Sequence, residues 1–422
     1  MAGLIAILDG TRFYASASGI LHPEYREKPV VVTSGNQGII IAANRLATDK
    51  CGLKKFKPVF EYKDKIDTLG VQVLEANFNL FGYHSEQFQS IIKSHFPESS
   101  SYSVDEVFCQ MPCHINALHY LQKVRRNVYK LTRTPIGAAA SHNCTLAKVA
   151  AWASKKQPGY KGLCVLESLP EIDRILSTIP VGDLWGVGRR IDARLKHMGI
   201  NKAIELKHAD VKKMKKEFGR PITSLIAELH GQRIFNWRKP DELHIKDMIS
   251  STRSIKERLH SVEELRQALA YHVHEVCAKA RNQQSKIKTI QFFCRTSPYD
   301  NQKYSGGTCV KLDYPSSDTA MFLKLLSEAI PRLIPQKGTW IPLYKIGVTA
   351  LEVTDSRHDQ GDLFAPIEDT RKMSALDSIN ALFGKNTLFL GAKGTGTTGE
   401  RMESGQLKNP HSRWSDVPTV FC

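Results

Sequence analysis

The chain has 422 residues, 41% of them hydrophobic, with 59 Lys and Arg against 42 Asp and Glu and a net charge of +17. That is enough apolar content for roughly two to four packed domains, which excludes a disordered chain. No apolar run approaches the ~18–20 residues of a membrane span, so the positive surplus points to nucleic acid and away from a membrane partner.

Residues 4–8 (LIAIL) read as a short apolar strand ending at Asp9, and the opening MAGLIAILDG reads as a core segment, with no basic stretch that would make it a signal peptide. Two further strands are expected at 29–33 and 38–43, around the turn Gly35-Asn36-Gln37-Gly38. Residues 44–80 are mixed and rich in Lys and Phe. A helix is expected over 84–94, a strand element in YSVDEVFCQM at 102–111, and an amphipathic helix over 115–133 with Leu118, Leu121 and Val124 at helical spacing. A strand at 135–141 (PIGAAAS) and a helix at 145–156 complete an α+β core over residues 1–165.

Residues 166–240 are helical and basic. The turn Gly186-Val187-Gly188 separates two helical segments, and Lys212, Lys213, Lys215 and Lys216 share one helix, a run that also reads as a solvated face. Residues 241–248 read as a linker. A second α+β module is expected over 249–355. It has a strand at SSTRSI and a helix capped by Ser261 and Glu264, with Val262, Leu265, Leu269, Val276 and Ala280 on one face. A strand at 286–294, a helix at 319–333 and a strand at 344–353 follow. Residues 246–345 carry 16 Lys and Arg against 9 Asp and Glu, so this module is basic as well. The tail from 356 is rich in Gly, Thr, Ser and Asp and reads as partly disordered.

Nine cysteines, from Cys51 to Cys422, read as reduced thiols of a cytoplasmic chain. Cys109, Cys113 and His114 cluster without a second ligand pair at zinc spacing. Asn143-Cys144-Thr145 fits a glycosylation pattern that has no meaning in such a chain. Gly394-Thr395-Gly396-Thr397-Thr398-Gly399 fits a dinucleotide pattern, but no strand–helix–strand unit can follow it.

The chemistry centres on YSVDEVF. Asp105 and Glu106 are adjacent in an apolar run, and burying unpaired carboxylates is very costly. Adjacent strand residues point to opposite faces, so the pair can serve one site only at a strand end or tight hairpin. Asp9, at the end of the first strand, is a third carboxylate that a sheet can bring alongside. Three close carboxylates call for cations. Mg²⁺ takes oxygen ligands together with substrate phosphates, and two such ions serve in-line phosphoryl or nucleotidyl transfer. The competing readings are a solvated turn for Asp105-Glu106 and a helix cap for Asp9.

IAILDGTRFYASAS at 5–18, KPVVVTSGNQGIIIAAN at 28–44, YSVDEVF, TLAKVAAWASKK at 145–156 and LWGVGRRIDARLKHMGI at 184–200 resemble the Y-family translesion DNA polymerases. TRSI at 252–255, RTSPY at 295–299 and NPHSRWSDVP at 409–418 resemble the UmuC type, the catalytic subunit of bacterial DNA polymerase V. The resemblance implies an α+β right-hand fold. Residues 1–165 would be palm and fingers (fingers about 16–78), 166–240 a helical thumb, 249–355 a little finger, and 356–422 a tail. It implies an error-prone polymerase of the SOS response, in which a primer 3′-hydroxyl attacks the α-phosphate of a dNTP and pyrophosphate leaves. Asp9, Asp105, Glu106 and the Gly10 carbonyl would hold two Mg²⁺. Tyr14 would be the sugar gate against ribonucleotides, with Phe13 beside it or in the core, and Lys155 would meet the triphosphate. Gly186, Gly188, Arg189 and Arg190 would contact DNA phosphates, as close backbone approach and charge allow. Gln360, Leu363 and Phe364 fit a sliding-clamp motif. Implied partners are damaged primer–template DNA, dNTP, the clamp, a processed UmuD-like dimer and a RecA filament.

Several positions depart from the family pattern: Ser18 stands for Glu, Asp49 for a triphosphate-binding Arg or Lys, Cys144 for Lys, and Gly10-Thr11-Arg12 is unusual inside the first motif. Arg45, Lys50 or Lys54 could replace the missing cation. Ser18, Asp49 and Cys144 support an alternative, a catalytically weak DNA- and clamp-binding protein that modulates other polymerases.

Overall fold

The computed structural model describes residues 3–34, 38–237, 245–334, 340–358, 369–384 and 386–395. They form two compact units, one of residues 3–34 and 39–237, the other of residues from 245 to 395.

The first unit runs β1 (Ile5–Gly10), α1 (Phe13–Leu21), β2 (Val30–Ser34), β3 (Ile39–Ala43), α2 (Lys63–Leu69), β4 (Gln72–Glu75), α3 (Phe78–His95), β5 (Ser99–Ser101), β6 (Glu106–Gln110), α4 (Ala117–Thr132), β7 (Ile136–Ser141), α5 (Cys144–Lys156) and β8 (Leu163–Val165). Five strands form a sheet in the order β5-β6-β1-β7-β8, in which only β7 and β8 pair in parallel. β1 lies in the middle and is buried along its whole length, which is why IAILDG reads as a continuous apolar run rather than an alternating one. Ile5 and Ile7 pack into the core on the α5 side, and Ala6 and Leu8 into the core with α3 and α4. A smaller sheet, β3-β2-β4, carries its own cluster around Val31, Ile40 and Leu53.

Five short helices follow: α6 (Leu169–Leu176), α7 (Arg189–His197), α8 (Ala203–Lys207), α9 (Val211–Phe218) and α10 (Arg220–Leu229). Their apolar faces merge with the α5 side of the sheet. The joint is a buried carboxylate. Glu228, 2% exposed, accepts from the Thr145 amide (3.1 Å) and hydroxyl at the start of α5, and from the amides of Ile234 (3.1 Å) and Phe235 (2.7 Å). Asn143, the α5 N-cap, donates to the Glu228 and Gln232 carbonyls at 2.7 and 2.8 Å.

The second unit comprises β9 (Ile249–Leu259), α11 (Val262–Asn282), β10 (Ser285–Arg295), β11 (Ser305–Ser316), α12 (Thr319–Leu333), β12 (Leu343–Asp355) and α13 (Thr370–Phe383), with an antiparallel sheet ordered β11-β10-β12-β9. Helices α11 and α12 cover one face of the sheet around Leu265, Phe292, Phe322 and Val348. Ser261 caps α11, and Glu264 reaches back to the His260 amide at 2.7 Å.

Several expectations need correction. α3 begins at Phe78, not 84, because Asn77 accepts from the Leu80 amide and caps it there. Leu118 is exposed: the buried stripe of α4 is Ala117, Leu121, Val124 and Val128, and Leu118 sits a helical step of about 100° away from it. Val262 is also exposed. β11 was missed in a Gly-, Lys- and Asp-bearing segment whose pairing with β10 is set by tertiary context. Within the tail, which the sequence reads as partly disordered, residues 370–383 form α13, tied to α11 by the Arg281 guanidinium bridging both oxygens of Asp377 at 2.6 and 2.8 Å.

The joint yields a stability prediction. Glu228→Ala leaves its buried donors unpaired and should destabilise the first unit by on the order of 3 kcal/mol, read as a lowered melting temperature.

Candidate active site

Asp9 lies directly opposite Glu106 in the antiparallel β1–β6 register. Directly opposed residues share a face and stand about 4.5–5.5 Å apart, so both carboxylates sit on the side covered by α5. Asp105 ends the four-residue turn of the β5–β6 hairpin, which is closed by the amides of Tyr102 and Ser103 donating to the Glu106 carbonyl at 2.9 and 3.2 Å. The turn breaks strand alternation, which lets adjacent residues serve one site. The Gly10 amide donates to the Asp105 carbonyl at 2.7 Å. A Cβ on Gly10 would stand 3.4 Å from that of Asp105 and 3.1 Å from the Phe13 ring, so the missing side chain permits the close approach.

α3 holds the turn. Ser85 Oγ donates to the Val104 carbonyl at 2.5 Å, and Gln89 Nε2 donates to the Ser103 and Val104 carbonyls at 3.0 and 3.2 Å. Ser103 Oγ donates to Asp105 Oδ1 at 2.7 Å. Sequence reasoning missed Ser85 and Gln89; their signal was a pair of polar residues four apart on the inward face of a helix.

α5 supplies two lysines seven residues apart, hence on one face. Lys155 Nζ lies 2.7 Å from Asp9 Oδ1, and Lys148 Nζ lies 2.7 and 2.8 Å from the two Glu106 oxygens. Burial pushes the Asp9 carboxyl up to about 6, against the Lys155 ammonium and with the repulsion of Glu106 and Asp105. Among the described residues no three His, Cys, Asp or Glu side chains converge tightly enough to hold a metal ion unaided; Asp9 and Glu106 are turned onto the lysines. The donor set still fits a hard divalent cation. It consists of carboxylates and a main-chain carbonyl at adjoining strand ends, already drawing two cationic groups.

The other expected residues are placed unevenly. Phe13, expected beside the nucleotide or in the core, is 3% exposed and packed on Phe81 and Phe88. Tyr14 is half-buried, stacked on Phe81 with centroids 4.6 Å apart, and burial and the Asp105 charge raise its phenol above the usual value. Gly186 adopts φ 90° and Gly188 precedes the first turn of α7, where Arg189 and Arg190 stand exposed; Lys212, Lys213, Lys215 and Lys216 are exposed around α9. Gln360, Leu363 and Phe364 lie outside the described residues.

Among the departures from the family pattern, Asp49 has local partners. Asp49 accepts from Arg45 Nε at 3.0 Å and Thr48 Oγ1 at 2.8 Å, and Arg12 stands 3.9 Å away. Arg45 is therefore engaged by Asp49 itself. Ser18 and Cys144 are buried, and burial holds the Cys144 thiol up to about 12. A cation that the sequence reading did not name, Lys55, lies within electrostatic reach of the carboxylates. Its ammonium is lowered chiefly by burial and by Arg12, with Lys155 adding repulsion, and it feels the attraction of Asp105 and Asp9.

Residues 8–152 match the model of the impB/mucB/samB family, and residues 246–363 match that family's C-terminal domain. The chain belongs to the impB/mucB/samB family. It is 26% identical to protein ImpB of Salmonella typhimurium over 98% of this chain and 99% of that one, and 29% identical to UmuC of the same species over 93% and 94%. DNA polymerase IV of Pelotomaculum thermopropionicum is 23% identical over 96% and 99%. A chimera of the Y-family polymerases Dbh and Dpo4 superposes with TM-score 0.63 at 18% identity, over 82% of this chain and 98% of that one, which gives the right-hand α+β fold. No described helix is long and apolar enough to cross a membrane.

The raised Asp9 carboxyl has a pH signature. In the unfolded chain an Asp titrates near about 3.9, so the folded state binds this proton more tightly, and ionising Asp9 costs stability progressively between about pH 4 and 6 and fully above. Asp9→Asn should therefore melt at a higher temperature than the parent at pH 8, with the gain vanishing towards pH 4.

Proposed function

We propose that this chain catalyses Mg²⁺-dependent, template-directed nucleotidyl transfer past damaged bases, as an error-prone polymerase of the SOS response. The observation that carries this reading is the pairing of Asp9 with Glu106, with Asp105 joined to the end of β1 through Gly10. Asp9, Asp105, Glu106 and the Gly10 carbonyl would hold two Mg²⁺, which when bound supply charge neutralisation at the attacking and leaving oxygens of an in-line displacement.

The chain's own residues do the rest. Tyr14, wedged on Phe81 beside Asp105, presents a rigid ring where a sugar 2′-hydroxyl would be crowded. Lys155 and Lys55 sit in the field of the carboxylates and offer positive charge to a triphosphate, Lys55 in place of the cation absent at Asp49. Residues 1–165 would act as palm and fingers, 166–240 as thumb and 249–355 as little finger. The small residues of the Gly186–Gly188 turn, with Arg189 and Arg190, would grip phosphates without reading sequence. DNA and dNTP as ligands agree with a Dbh polymerase solved as an insertion ternary complex, which superposes with TM-score 0.50 at 17% identity. The sliding clamp through Gln360, Leu363 and Phe364, a UmuD-like dimer, a RecA filament and a cytoplasmic setting complete the proposal. The catalytically weak alternative is not favoured, since Asp49 is neutralised locally and Ser18 and Cys144 are buried.

Primer extension on an abasic template tests the reading. Asp105→Ala should lower incorporation by about a thousandfold or more, the loss of several kcal/mol of charge stabilisation, while DNA affinity stays within about twofold because phosphate contacts set it. Full extension by Asp105→Ala overturns the assignment. Tyr14→Ala should admit ribonucleotides that the parent rejects. Lys55→Ala should raise KM for dNTP by about tenfold, the effect of one removed cation, with DNA affinity unchanged.

A further inference from the structure

Lys148 has an environment that its neighbour on the same helix face, Lys155, lacks. Its side chain is 16% exposed, against 44% for Lys155. Its ammonium meets both oxygens of Glu106 and stands 4.7 Å from the ring centre of Tyr102, 5.8 Å from that of Trp185 and 6.0 Å from that of Phe108. The rings brace one another. Trp185 Nε1 donates to the Tyr102 hydroxyl at 3.0 Å, and Trp185 packs edge-on against Phe235 with centroids 4.6 Å apart. Trp185 belongs to the turn between the short helix Val181–Asp183 and Gly186, and Asp183, at the end of that helix, accepts from Trp152 of α5 at 3.0 Å.

We propose that Lys148 is a positioning residue for the third carboxylate, held in an aromatic cage that Trp185 closes from the 181–188 turn. The inference rests on the reading of Asp9, Asp105 and Glu106 as cation-holding groups. A cation among three ring faces is attracted by all of them and cannot swing after a moving partner. It takes one lone pair from each Glu106 oxygen and leaves the others in a fixed orientation. It also cancels the charge of Glu106, so that with Lys155 on Asp9 the three carboxylates keep a net charge near that of one. Glu106 is thereby oriented but made a weaker ligand on its own, and full cation binding waits for the phosphates that a nucleotide brings. Because the cage wall comes from the turn that precedes α7, a displaced turn loosens Glu106.

The test uses the full chain, with Mn²⁺ as the probe, followed by the signal of free Mn²⁺ in the absence of DNA and nucleotide. Lys148→Met keeps the length and the apolar stem and removes the charge. It should tighten Mn²⁺ binding by on the order of tenfold, the effect of removing one close charge. It should also lower kcat for dNTP incorporation by about tenfold while KM stays within about twofold, as expected for lost orientation rather than lost binding. On a Glu106→Gln background the tightening should disappear. The inference is overturned if Lys148→Met moves neither Mn²⁺ affinity nor kcat beyond about twofold, or if the tightening persists with Gln at position 106. If Glu106→Gln alone leaves Mn²⁺ binding unchanged, the metal-site reading itself has failed, and the inference falls with it. Trp185→Phe, which keeps a ring but drops the bond to Tyr102, guards against a folding defect in Lys148→Met. It should shift Mn²⁺ binding in the same direction by a smaller factor, and no shift in a fully folded Trp185→Phe overturns the coupling to the turn.

Discussion

The register between β1 and β6 is the constraint on which the site depends. Because side chains alternate with a period of two, a slip by one residue would send Asp9 and Glu106 to opposite faces. The slip is resisted from both sides of the sheet. Ile5 and Ile7 must face the core under α5, and Ala6 and Leu8 the core under α3 and α4. Burial of ordinary apolar residues thus holds two charged ones in register at the strand end, where regular pairing gives way to the turn that carries Asp105.

Carboxylates so placed are compensated by α5. One helix lays two lysines along the strand ends, each on one carboxylate, and the same helix begins at Asn143 and Thr145, which are locked to Glu228 at the end of α10. The helix that neutralises the site is therefore also the helix that anchors the basic segment carrying Gly186, Arg189 and Arg190. Charge at the site and placement of the proposed phosphate-gripping turn have one physical support. The turn with Asp105 has another, in Ser85 and Gln89, so each side of the site is held by a helix with buried polar groups at full hydrogen-bond distance.

The departure at Asp49 loses much of its force once its partners are seen. Asp49 looked like a carboxylate aimed at a triphosphate; it is an exposed ion-pair partner of Arg45. Lys55, from the same region, feels the charge of Asp105 and Asp9, and it lies in a lysine-rich stretch where no single position stands out in the sequence.

Residue order alone determined a good deal. The apolar run of β1 leading to Asp9, the odd adjacency of Asp105 and Glu106 in an apolar run, the capped helix at Ser261 and the basic character of the second module follow from patterns of a few neighbouring residues, and local patterns are legible because local sterics and burial set them. The partners of charge were not legible. Lys148 with Glu106, Glu228 with Thr145 and Arg281 with Asp377 join residues 42, 83 and 96 positions apart. Which cation meets which carboxylate depends on how helices lie across sheets, and only the packed chain decides that.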